Sequence, residues 1–294
     1  MKKIIVIGAN GFAGRRILDV LSTDPNYTVT GASLHQDIRT EGKHSFVTAD
    51  LTDYEAIKKM MQGIKPDAVV NCSALSTPDY CEQHHDETFA INVAAVEHLA
   101  QCCEQCNCRL IHLSSDFVFD GKADRLYNEK DLPAPVNYYG LSKYLSEIMV
   151  AKTCSSYAIA RVVVVYGKAL KGQHGNIVQL VKNRLEAGQE IRVVSDQYRT
   201  PTWVQDIAEG IKLLLDSKNG IYHICGKEYM SIKDIAYRTA AFFNLDSSLI
   251  HSVTTSEMHE ATPRPLNSGL DIKKAINELD YQPHTFEEGL EEMR

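Results

Sequence analysis

A tyrosine and a lysine four residues apart, Tyr139 and Lys143, are the residues of this chain whose types and spacing most directly indicate chemistry. On a helix, positions i and i+4 share one face, so a phenol and an ammonium can reach the same substrate atom. A buried cation lowers the pKa of a neighbouring phenol from about 10 toward neutrality, because it stabilises the phenolate. We therefore expect Tyr139 to exchange a proton with a carbonyl/alcohol pair, with Lys143 as a permanent cation beside it.

A serine that suits the same reaction lies upstream. Ser115 follows the run Leu110-Ile111-His112-Leu113, at the end of a predicted strand. A neutral hydroxyl there can hydrogen-bond a carbonyl oxygen and hold it near the phenol. Taken singly, the three residues could be a turn cap, a half-buried aromatic and a surface charge. Together with the glycine turn described next, Ser115, Tyr139 and Lys143 are the predicted catalytic group.

The start of the chain has the pattern of a dinucleotide-binding turn. A buried run at 3–7 leads into the spacing G-x-x-G-x-x-G, and a helical pattern follows it. Glycines allow tight backbone angles and close approach of a pyrophosphate, whose charge meets the helix N-terminus. A glycine-rich turn can also be a plain tight loop, but the strand before it and the helix after it favour cofactor binding. The predicted cofactor contacts in this turn are Gly8, Asn10, Gly11, Phe12 and Gly14.

Strands and helices alternate along the chain, and the strands are nearly continuous in valine and isoleucine. This pattern predicts an α/β fold with a doubly wound parallel sheet of the Rossmann type, covered on both faces. The predicted strands are 3–7, 28–32, 45–48, 68–71, 109–113, 158–164, 191–194 and 221–224, and the predicted helices include 12–22, 53–62 and 87–105.

Ligands on such a sheet bind at the carboxyl ends of the strands. Ala74 follows one predicted strand and Ser115 another, so we expect Ala74 to contact the cofactor. After Gly167 the pattern loosens, which predicts a smaller C-terminal lobe that binds substrate. The predicted Rossmann domain comprises 1–167 and about 191–224, and the substrate-binding lobe comprises 168–190 and 225–294.

The end of the second predicted strand bears on the choice of cofactor, because an acidic side chain there would hydrogen-bond the ribose 2′-hydroxyl. Strand 28–32 is followed by Ser33, a further predicted cofactor contact, and Asp37 is too far along to take the acidic role. The missing carboxylate removes repulsion against a 2′-phosphate, so we expect NADPH to be preferred and NADH to be tolerated. Arg39 or Lys43 would hold that phosphate, unless both are ordinary loop charges.

Composition narrows the classes of protein. The 294 residues are 44% hydrophobic and carry a formal charge of −7, which argues against a nucleic-acid-binding surface. No apolar run reaches the roughly 20 residues of a membrane helix, so we expect a cytoplasmic protein. Base rates alone favour a homodimer. We expect free thiols and no metal, because Cys102, Cys103, Cys106 and Cys108 lack the separated pairs of a structural zinc site.

These motifs resemble the extended short-chain dehydrogenase/reductase superfamily, and within it the dTDP-4-dehydrorhamnose reductases, which reduce the C4 ketone of a nucleotide-linked deoxysugar. The resemblance runs nearly end to end. It is carried by Gly8-Ala9-Asn10-Gly11, Asn71 to Ala74, Asp79 to Glu82, Ser114 to Gly121, Tyr139 to Lys143, Asp196-Gln197 with Pro201-Thr202, and Arg264 to Ser268.

The resemblance implies NADPH-dependent reduction of a 4-keto-6-deoxysugar linked to a nucleotide, as in dTDP-rhamnose biosynthesis. It implies that Lys143 binds the nicotinamide ribose and that Asp50 and Leu51 contact the adenine ring. Asp116, Phe117 and Arg264 are the implied substrate contacts. Related dehydratases have a glutamate after the aspartate, and phenylalanine at 117 therefore disfavours dehydration.

One position departs from the family pattern. The reductases usually have a tryptophan near the sugar where this chain has Val164, and valine lacks the aromatic face. Two alternatives therefore stand beside the reductase. One is another epimerase or reductase acting on sugar nucleotides. The other is a non-catalytic, NADP-binding regulatory subunit like the β subunit of methionine adenosyltransferase, which also lacks the tryptophan.

Overall fold

Runs of buried β-branched residues form the strands of this molecule, and amphipathic segments form the helices between them. The computed structural model describes residues 1–38, 44–170, 172–173 and 175–294. Arg39 and Lys43, the predicted partners of a 2′-phosphate, lie outside the described residues. Within the described ranges, no helix is both long enough and apolar enough to cross a membrane.

The strands and helices alternate over most of the chain. The strands are β1 Lys2–Ile7, β2 Tyr27–Ser33, β3 Ser45–Thr48, β4 Ala68–Asn71, β5 Arg109–Ser115, β6 Tyr157–Val162, β7 Val165–Tyr166, β8 Ile191–Val194, β9 Tyr198–Arg199, β10 Thr202–Trp203, β11 Gly220–His223, β12 Met230–Ser231 and β13 Ile250–Val253. The helices are α1 Phe12–Thr23, α2 Tyr54–Ile64, α3 Pro78–Gln83, α4 His85–Phe89, α5 Ala95–Gln105, α6 Tyr138–Thr153, α7 Ile177–Glu186, α8 Val204–Leu214, α9 Ile232–Phe243, α10 Thr255–Met258, α11 Lys273–Leu279 and α12 Phe286–Glu291.

The central sheet has seven strands in the order β11-β6-β5-β4-β1-β2-β3. Every neighbouring pair in it is parallel. The predicted fold class, a doubly wound parallel sheet, is therefore confirmed. The strand order reverses between β1 and β4, and in folds of this kind ligands bind in the crevice that such a reversal opens at the carboxyl ends of the strands.

Helices cover both faces of this sheet, because alternate residues of each strand point to opposite sides. Ile4 and Val6 of β1 pack in a core with side chains of α1 and α8. Ile5 and Ile7 pack in a second core with side chains of α2, α5 and α6. The strand ends, and the loops that follow them, are therefore held by a frame that is buried on both faces.

The strand predicted at 191–194 forms, but it does not belong to the central sheet. Ile191–Val194 pairs in parallel with Ile250–Val253 as a separate two-stranded sheet. This small sheet shares a core with α7 and α9. The prediction that grouped 191–194 with the Rossmann sheet is thus wrong, because an apolar run indicates a strand but not its partner. Gly220–His223 does extend the central sheet, next to β6.

Gly14 and Gly63 offer a matched test of how tightly the first helix packs, since both are helical. A Cβ on Gly14 would overlap the backbone of Gly8, whereas a Cβ on Gly63 meets nothing within 4 Å. We expect Gly63→Ala to raise the free energy of unfolding by about 0.5–1 kcal/mol, because alanine loses less backbone entropy. Gly14→Ala should lower it by about 1–3 kcal/mol, because packed backbone must separate. Urea unfolding followed by circular dichroism measures both, and equal stability of the two variants would contradict this packing.

Candidate active site

The turn between β1 and α1 packs so closely against the neighbouring backbone that it requires glycine. Gly8 has φ +75°, in the left-handed region that favours glycine, and a Cβ there would lie 2.8 Å from the amide nitrogen of Ser73. The amide of Gly11 donates to the carbonyl of Gly8 at 2.8 Å, and α1 begins at the next residue, Phe12. The glycines thus leave open, at the N-terminus of α1, a space that larger side chains would fill.

Asn10 ties this turn to the segment that follows β2. Its side-chain nitrogen donates to the carbonyls of His35 and Gln36 at 3.2 and 2.8 Å, and its side-chain oxygen accepts from the amide of Ile38 at 3.2 Å. The side chain of Asn10 therefore shapes the turn. Its predicted contact with a cofactor stays a prediction.

An ion-pair network also lies beyond β2, which ends at Ser33. The buried guanidinium of Arg15 pairs with Asp37, and the other carboxylate oxygen of Asp37 lies 2.7 Å from Nε2 of His44. Nε and Nη1 of Arg15 are buried without a hydrogen-bond partner among the described residues. Sequence reasoning missed Arg15, although it directly follows Gly14 of the glycine turn.

Asp50 and Leu51 follow β3 at the neighbouring strand end. The carboxylate of Asp50 accepts from the amide and the hydroxyl of Thr52, both at 2.8 Å, and so forms the turn before α2. Leu51 is half-buried and packs against the core beside α2. Their contact with an adenine ring stays a prediction.

One cavity of about 760 Å³ joins the glycine turn to the predicted catalytic group. It lies at the carboxyl ends of the sheet strands, and it brings together residues that are far apart in the chain. Within the described part of the chain, four of the predicted cofactor contacts do not line this cavity: Gly8, Ser33, Asp50 and Leu51. The predicted residues that line it are Asn10, Gly11, Phe12, Gly14, Ala74, Ser115, Asp116, Phe117, Tyr139, Lys143 and Arg264.

Tight packing at the start of α6 brings Tyr139 to Ser115. The side chain of Asn137 caps this helix by accepting from the amide of Gly140 at 2.8 Å. A Cβ on Gly140 would overlap the carbonyl oxygen of Phe117, so the helix start lies directly on the segment after β5. The two predicted catalytic residues thus meet because glycine allows the approach.

Tyr139 is a half-buried phenol that stays protonated. Burial raises its pKa above the ordinary value, the Asp116 carboxylate raises the pKa further, and a hydrogen bond with Ser115 lowers it. The prediction that Lys143 brings this pKa toward neutrality is therefore wrong for the protein by itself. The desolvated phenol faces a carboxylate, and the protonated state suits a proton donor.

Lys143 is almost completely buried, at 3% exposure, and lies one helical turn along α6 from Tyr139. Burial lowers the pKa of Lys143 to about 8, and the neighbouring Glu147 raises it. The expectation of a permanent cation is thus corrected, because the amine titrates close to physiological pH. Its Nζ lies 3.4 Å from Nε2 of His112, a buried residue of β5.

Asp116 is a buried carboxylate that connects Ser115, the predicted catalytic serine, with the C-terminal part of the chain. One oxygen accepts from the hydroxyl of Ser115 at 3.0 Å. The other accepts from the hydroxyl of Ser268 and lies 3.4 Å from Nε of Arg199. Burial raises the pKa of Asp116, while Arg199 and the two serine hydrogen bonds lower it. Arg199 and Ser268 had no signal in the sequence beyond the family resemblance of the segments around them.

The two other predicted substrate contacts lie on the same cavity wall. The ring of Phe117 packs edge-on against that of Tyr139, with centroids 5.5 Å apart. The guanidinium of Arg264 forms ion pairs with Asp79 at 3.1 Å and with Glu260 at 2.8 Å. Arg264 is therefore held at the cavity edge by carboxylates of α3 and of the segment after α10.

Asn92 supports the cavity from behind, and sequence reasoning missed it. The helix predicted at 87–105 is interrupted by a π-helical turn, Ala90–Ala94, that contains it. Its side chain accepts from the amide of Leu75 at 2.8 Å and donates to the carbonyl of Leu75 at 2.9 Å. These bonds fix the loop that carries Ala74 into the cavity, and π turns often occur at functional sites.

Val164 occupies the position where the reductases usually have a tryptophan. It lines the cavity and has φ +34°, which is an unusual conformation for a β-branched residue. Such strain costs on the order of 1–3 kcal/mol and persists only where the surroundings enforce it. The backbone bond from the amide of Thr202 to the carbonyl of Val164, at 3.1 Å, is one such restraint.

The cysteines that sequence analysis weighed as a zinc site do not form one cluster. Cys102, Cys103 and Cys108 are buried in the core beside α5, and Cys106 is exposed. All are free thiols. Among the described residues, the side chains that come close enough to share a metal ion are Asp206, Glu209 and His284, where Asp206 accepts from His284 at 2.6 Å.

The doubly wound sheet, the glycine turn and the Ser-Tyr-Lys group in one cavity define a protein of the extended short-chain dehydrogenase/reductase superfamily. Comparison with known proteins confirms the resemblance drawn from the sequence. The family model for the RmlD substrate binding domain matches residues 1–294, and the chain belongs to that family.

Relatives of this chain have several functions. It is 31% identical to the spore coat polysaccharide biosynthesis protein SpsK of Bacillus subtilis, over 99% of this chain and 96% of that protein. It is 32% identical to methionine adenosyltransferase 2 subunit beta of Xenopus laevis, over 93% and 81%. The crystal structure of dTDP-4-dehydrorhamnose reductase from Bacillus anthracis, in complex with NADP, superposes with a TM-score of 0.88 at 28% identity, covering 99% of this chain and 97% of that one.

The Asp116 carboxylate gives a stability test of this site. Asp116→Asn keeps the size of the side chain but leaves the buried guanidinium of Arg199 without its counter-charge. We expect the free energy of unfolding to fall by about 3–5 kcal/mol. Arg199→Met should cost a similar amount, and the double variant less than the sum, because the two residues interact directly. Urea unfolding of the four proteins measures the coupling, and strictly additive costs would show that the ion pair does not form.

Proposed function

We propose that this protein reduces the C4 ketone of a nucleotide-linked 4-keto-6-deoxysugar with NADPH. The observation that carries the proposal is the convergence of Ser115, Tyr139 and Lys143 with the glycine turn in one cavity. A glycine turn suits a dinucleotide, and a hydroxyl, a phenol and an amine suit a carbonyl. Phe117, in the position of a dehydratase glutamate, speaks against elimination of water.

The residues present fit a nicotinamide dinucleotide. The left-handed backbone of Gly8, and the space that a Cβ on Gly8 or Gly14 would fill, suit a pyrophosphate against the start of α1. Gly11 and Phe12 would hold it through their backbone, and Ala74 would lie beside it. When bound, the cofactor supplies a hydride from its nicotinamide ring.

The chain itself supplies the proton and the orientation. Ser115 would hydrogen-bond the ketone oxygen and hold it near the phenol of Tyr139. Because burial keeps Tyr139 protonated, the phenol can give its proton to the alkoxide that develops as the ketone is reduced. The ammonium of Lys143 would then stabilise the phenolate until solvent returns the proton.

The cavity wall that carries Arg264 suits an anionic substrate. Arg192 and Arg264 line it together with Gln197, although the whole chain carries a net charge of −7. Guanidinium groups bind phosphates in a bidentate manner, so this wall is a suitable place for the diphosphate of a sugar nucleotide.

The network beyond β2 supports NADPH. A 2′-phosphate needs a cation and is repelled by a free carboxylate. Here the carboxylate of Asp37 is paired with Arg15 and lies close to His44. Arg15, whose Nε and Nη1 have no partner among the described residues, is the cation that we assign to the phosphate.

A second candidate is a regulatory subunit without turnover. Identity of 32% to the beta subunit of methionine adenosyltransferase 2 of Xenopus laevis, together with valine at 164, favours it. In that case the cavity would bind NADP and regulate a partner enzyme. The protonated phenol beside Ser115 favours the reductase instead.

Turnover separates the two candidates. We expect purified protein to oxidise NADPH in the presence of dTDP-4-keto-6-deoxymannose, and Tyr139→Phe to reduce the rate by about 100- to 10,000-fold, because the proton donor is lost. Tyr138→Phe is the matched control, since the Tyr138 ring stacks on His85 at 3.7 Å and does not line the cavity. The measurement is NADPH absorbance at fixed substrate, with NADPH binding measured for each variant.

The outcomes of that experiment are distinct. Loss of turnover in Tyr139→Phe alone, with NADPH binding retained, supports the reductase. Equal rates in the two variants would remove Tyr139 from the mechanism. Tight NADPH binding without turnover on any 4-keto sugar nucleotide would favour the regulatory subunit, which co-purification with a synthetase would then test.

The choice of cofactor gives a further prediction. We expect the dissociation constant of NADPH to be lower than that of NADH. Arg15→Met should weaken the binding of NADPH by about tenfold and leave the binding of NADH nearly unchanged, because it removes the cation assigned to the 2′-phosphate. Fluorescence titration with both cofactors measures this. If Arg15→Met weakened the binding of NADPH and of NADH equally, Arg15 would only support the fold.

A further inference from the structure

His112 is a buried residue of β5, and it faces the catalytic lysine. It lies three residues before Ser115 in the chain, is fully buried, and has Nε2 at 3.4 Å from Nζ of Lys143. No sequence motif indicates a role for it. Its hydrogen bonds determine whether that short distance is an attraction, because an imidazole nitrogen accepts only when it carries no hydrogen.

Asn71 fixes the state of one ring nitrogen. The side-chain oxygen of Asn71 accepts from the amide of Ser73 at 3.0 Å, so its side-chain nitrogen points toward His112. That nitrogen lies 3.2 Å from Nδ1 of His112. An amide nitrogen only donates, and Nδ1 must therefore accept and carry no hydrogen.

The hydrogen of the neutral ring then lies on Nε2. The hydroxyl of Ser146 donates to the backbone carbonyl of Lys143 at 2.7 Å, so its oxygen is free to accept from Nε2 of His112 at 2.9 Å. Burial and the nearby lysine lower the pKa of His112 well below its ordinary value, which keeps the ring neutral. Nε2 is consequently a donor, and it cannot accept from the amine of Lys143.

The other titratable groups around Lys143 are neutral or already engaged. Glu147 of the same helix accepts twice from Arg161, at 2.9 and 2.6 Å. Burial raises the pKa of Cys72, after β4, to about 12, so its thiol is neutral. The phenol of Tyr139 is neutral for the same reason. In the described part of the chain, the ammonium form of Lys143 thus lacks an acceptor for its hydrogens.

We propose that His112 is a positioning residue. Because its Nε2 carries a hydrogen, the amine of Lys143 has no hydrogen-bond acceptor in the free protein, and binding of the nicotinamide cofactor therefore draws a proton from solvent onto that amine. The inference rests on the proposed function, because the acceptors would be ribose hydroxyls of the cofactor. One N–H bond forms on Nζ, and solvent or buffer loses the proton. Hydroxyl acceptors favour the charged form of an amine and so raise its pKa.

The size of the effect follows from the pKa of Lys143. Since that pKa is about 8, about half of the Lys143 amines are uncharged at pH 8, and about a tenth are uncharged at pH 7. Cofactor binding should therefore take up about half a proton per site at pH 8 and about a tenth at pH 7. The 2′-phosphate does not contribute at pH 8, because phosphate monoesters lose their second proton near pH 6.

Titration calorimetry with NADPH tests this. The heat of binding is measured in phosphate and in Tris, whose ionisation enthalpies differ, and the difference gives the number of protons taken up. Lys143→Met should abolish the uptake. His112→Gln offers the amine a side-chain oxygen, which should raise its pKa before binding and bring the uptake at pH 8 close to zero. His251→Gln, at an exposed residue of β13, is the matched control and should leave the uptake unchanged.

A second variant covers the case in which His112→Gln does not fold. Asn71→Asp accepts from Nδ1, which moves the ring hydrogen there and makes Nε2 an acceptor for Lys143, so the uptake should again fall. Binding of NADPH to the natural protein without proton uptake at pH 8 overturns this inference and leaves the proposed function standing. Failure to bind NADPH overturns the cofactor assignment instead. Unchanged uptake in a folded His112→Gln or Asn71→Asp protein removes His112 from the coupling.

Discussion

The buried ion pair between Asp116 and Arg199 holds the two walls of the cavity together. Asp116 directly follows β5 and accepts from Ser115, while Arg199 donates to the carbonyls of Pro265 and Leu266 at 2.7 and 3.1 Å. Two opposite charges away from water constrain each other strongly, because neither can be left alone. The end of β5 and the loop that contains Pro265 and Leu266 are therefore held close together, and the shape of the cavity between them depends on this contact.

Local features of the chain made much of this arrangement predictable. Strands at 45–48 and 68–71 have the predicted bounds, since continuous buried runs between turns leave little choice. The glycine turn and the Tyr139–Lys143 pair likewise need only short-range spacing. The partner of 191–194 was not predictable, because pairing between strands depends on contacts that are distant in sequence.

The protonation states of the site residues also depend on contacts between residues that are distant in sequence. Residue types indicate which groups can exchange protons, but burial decides their pKa, and burial arises only when separate elements pack. Tyr139 and Lys143 show this in opposite directions, because desolvation favours the neutral form of an acid and of a base alike. His112, Arg199 and Ser268 reach the site from positions that give no local signal.

The π turn at Ala90–Ala94 has a consequence for how this chain can vary. A π turn holds one residue more than an α turn, and each residue rotates an α-helix by about 100°. Removing a single residue from this turn would restore a regular helix and rotate the preceding helical turn against α5. The core face of α5 and the amide of Asn92 could then no longer both face inward. The number of residues in this helix is thus fixed by the rotation between its two segments. A substitution in the π turn keeps that rotation, whereas a deletion changes it.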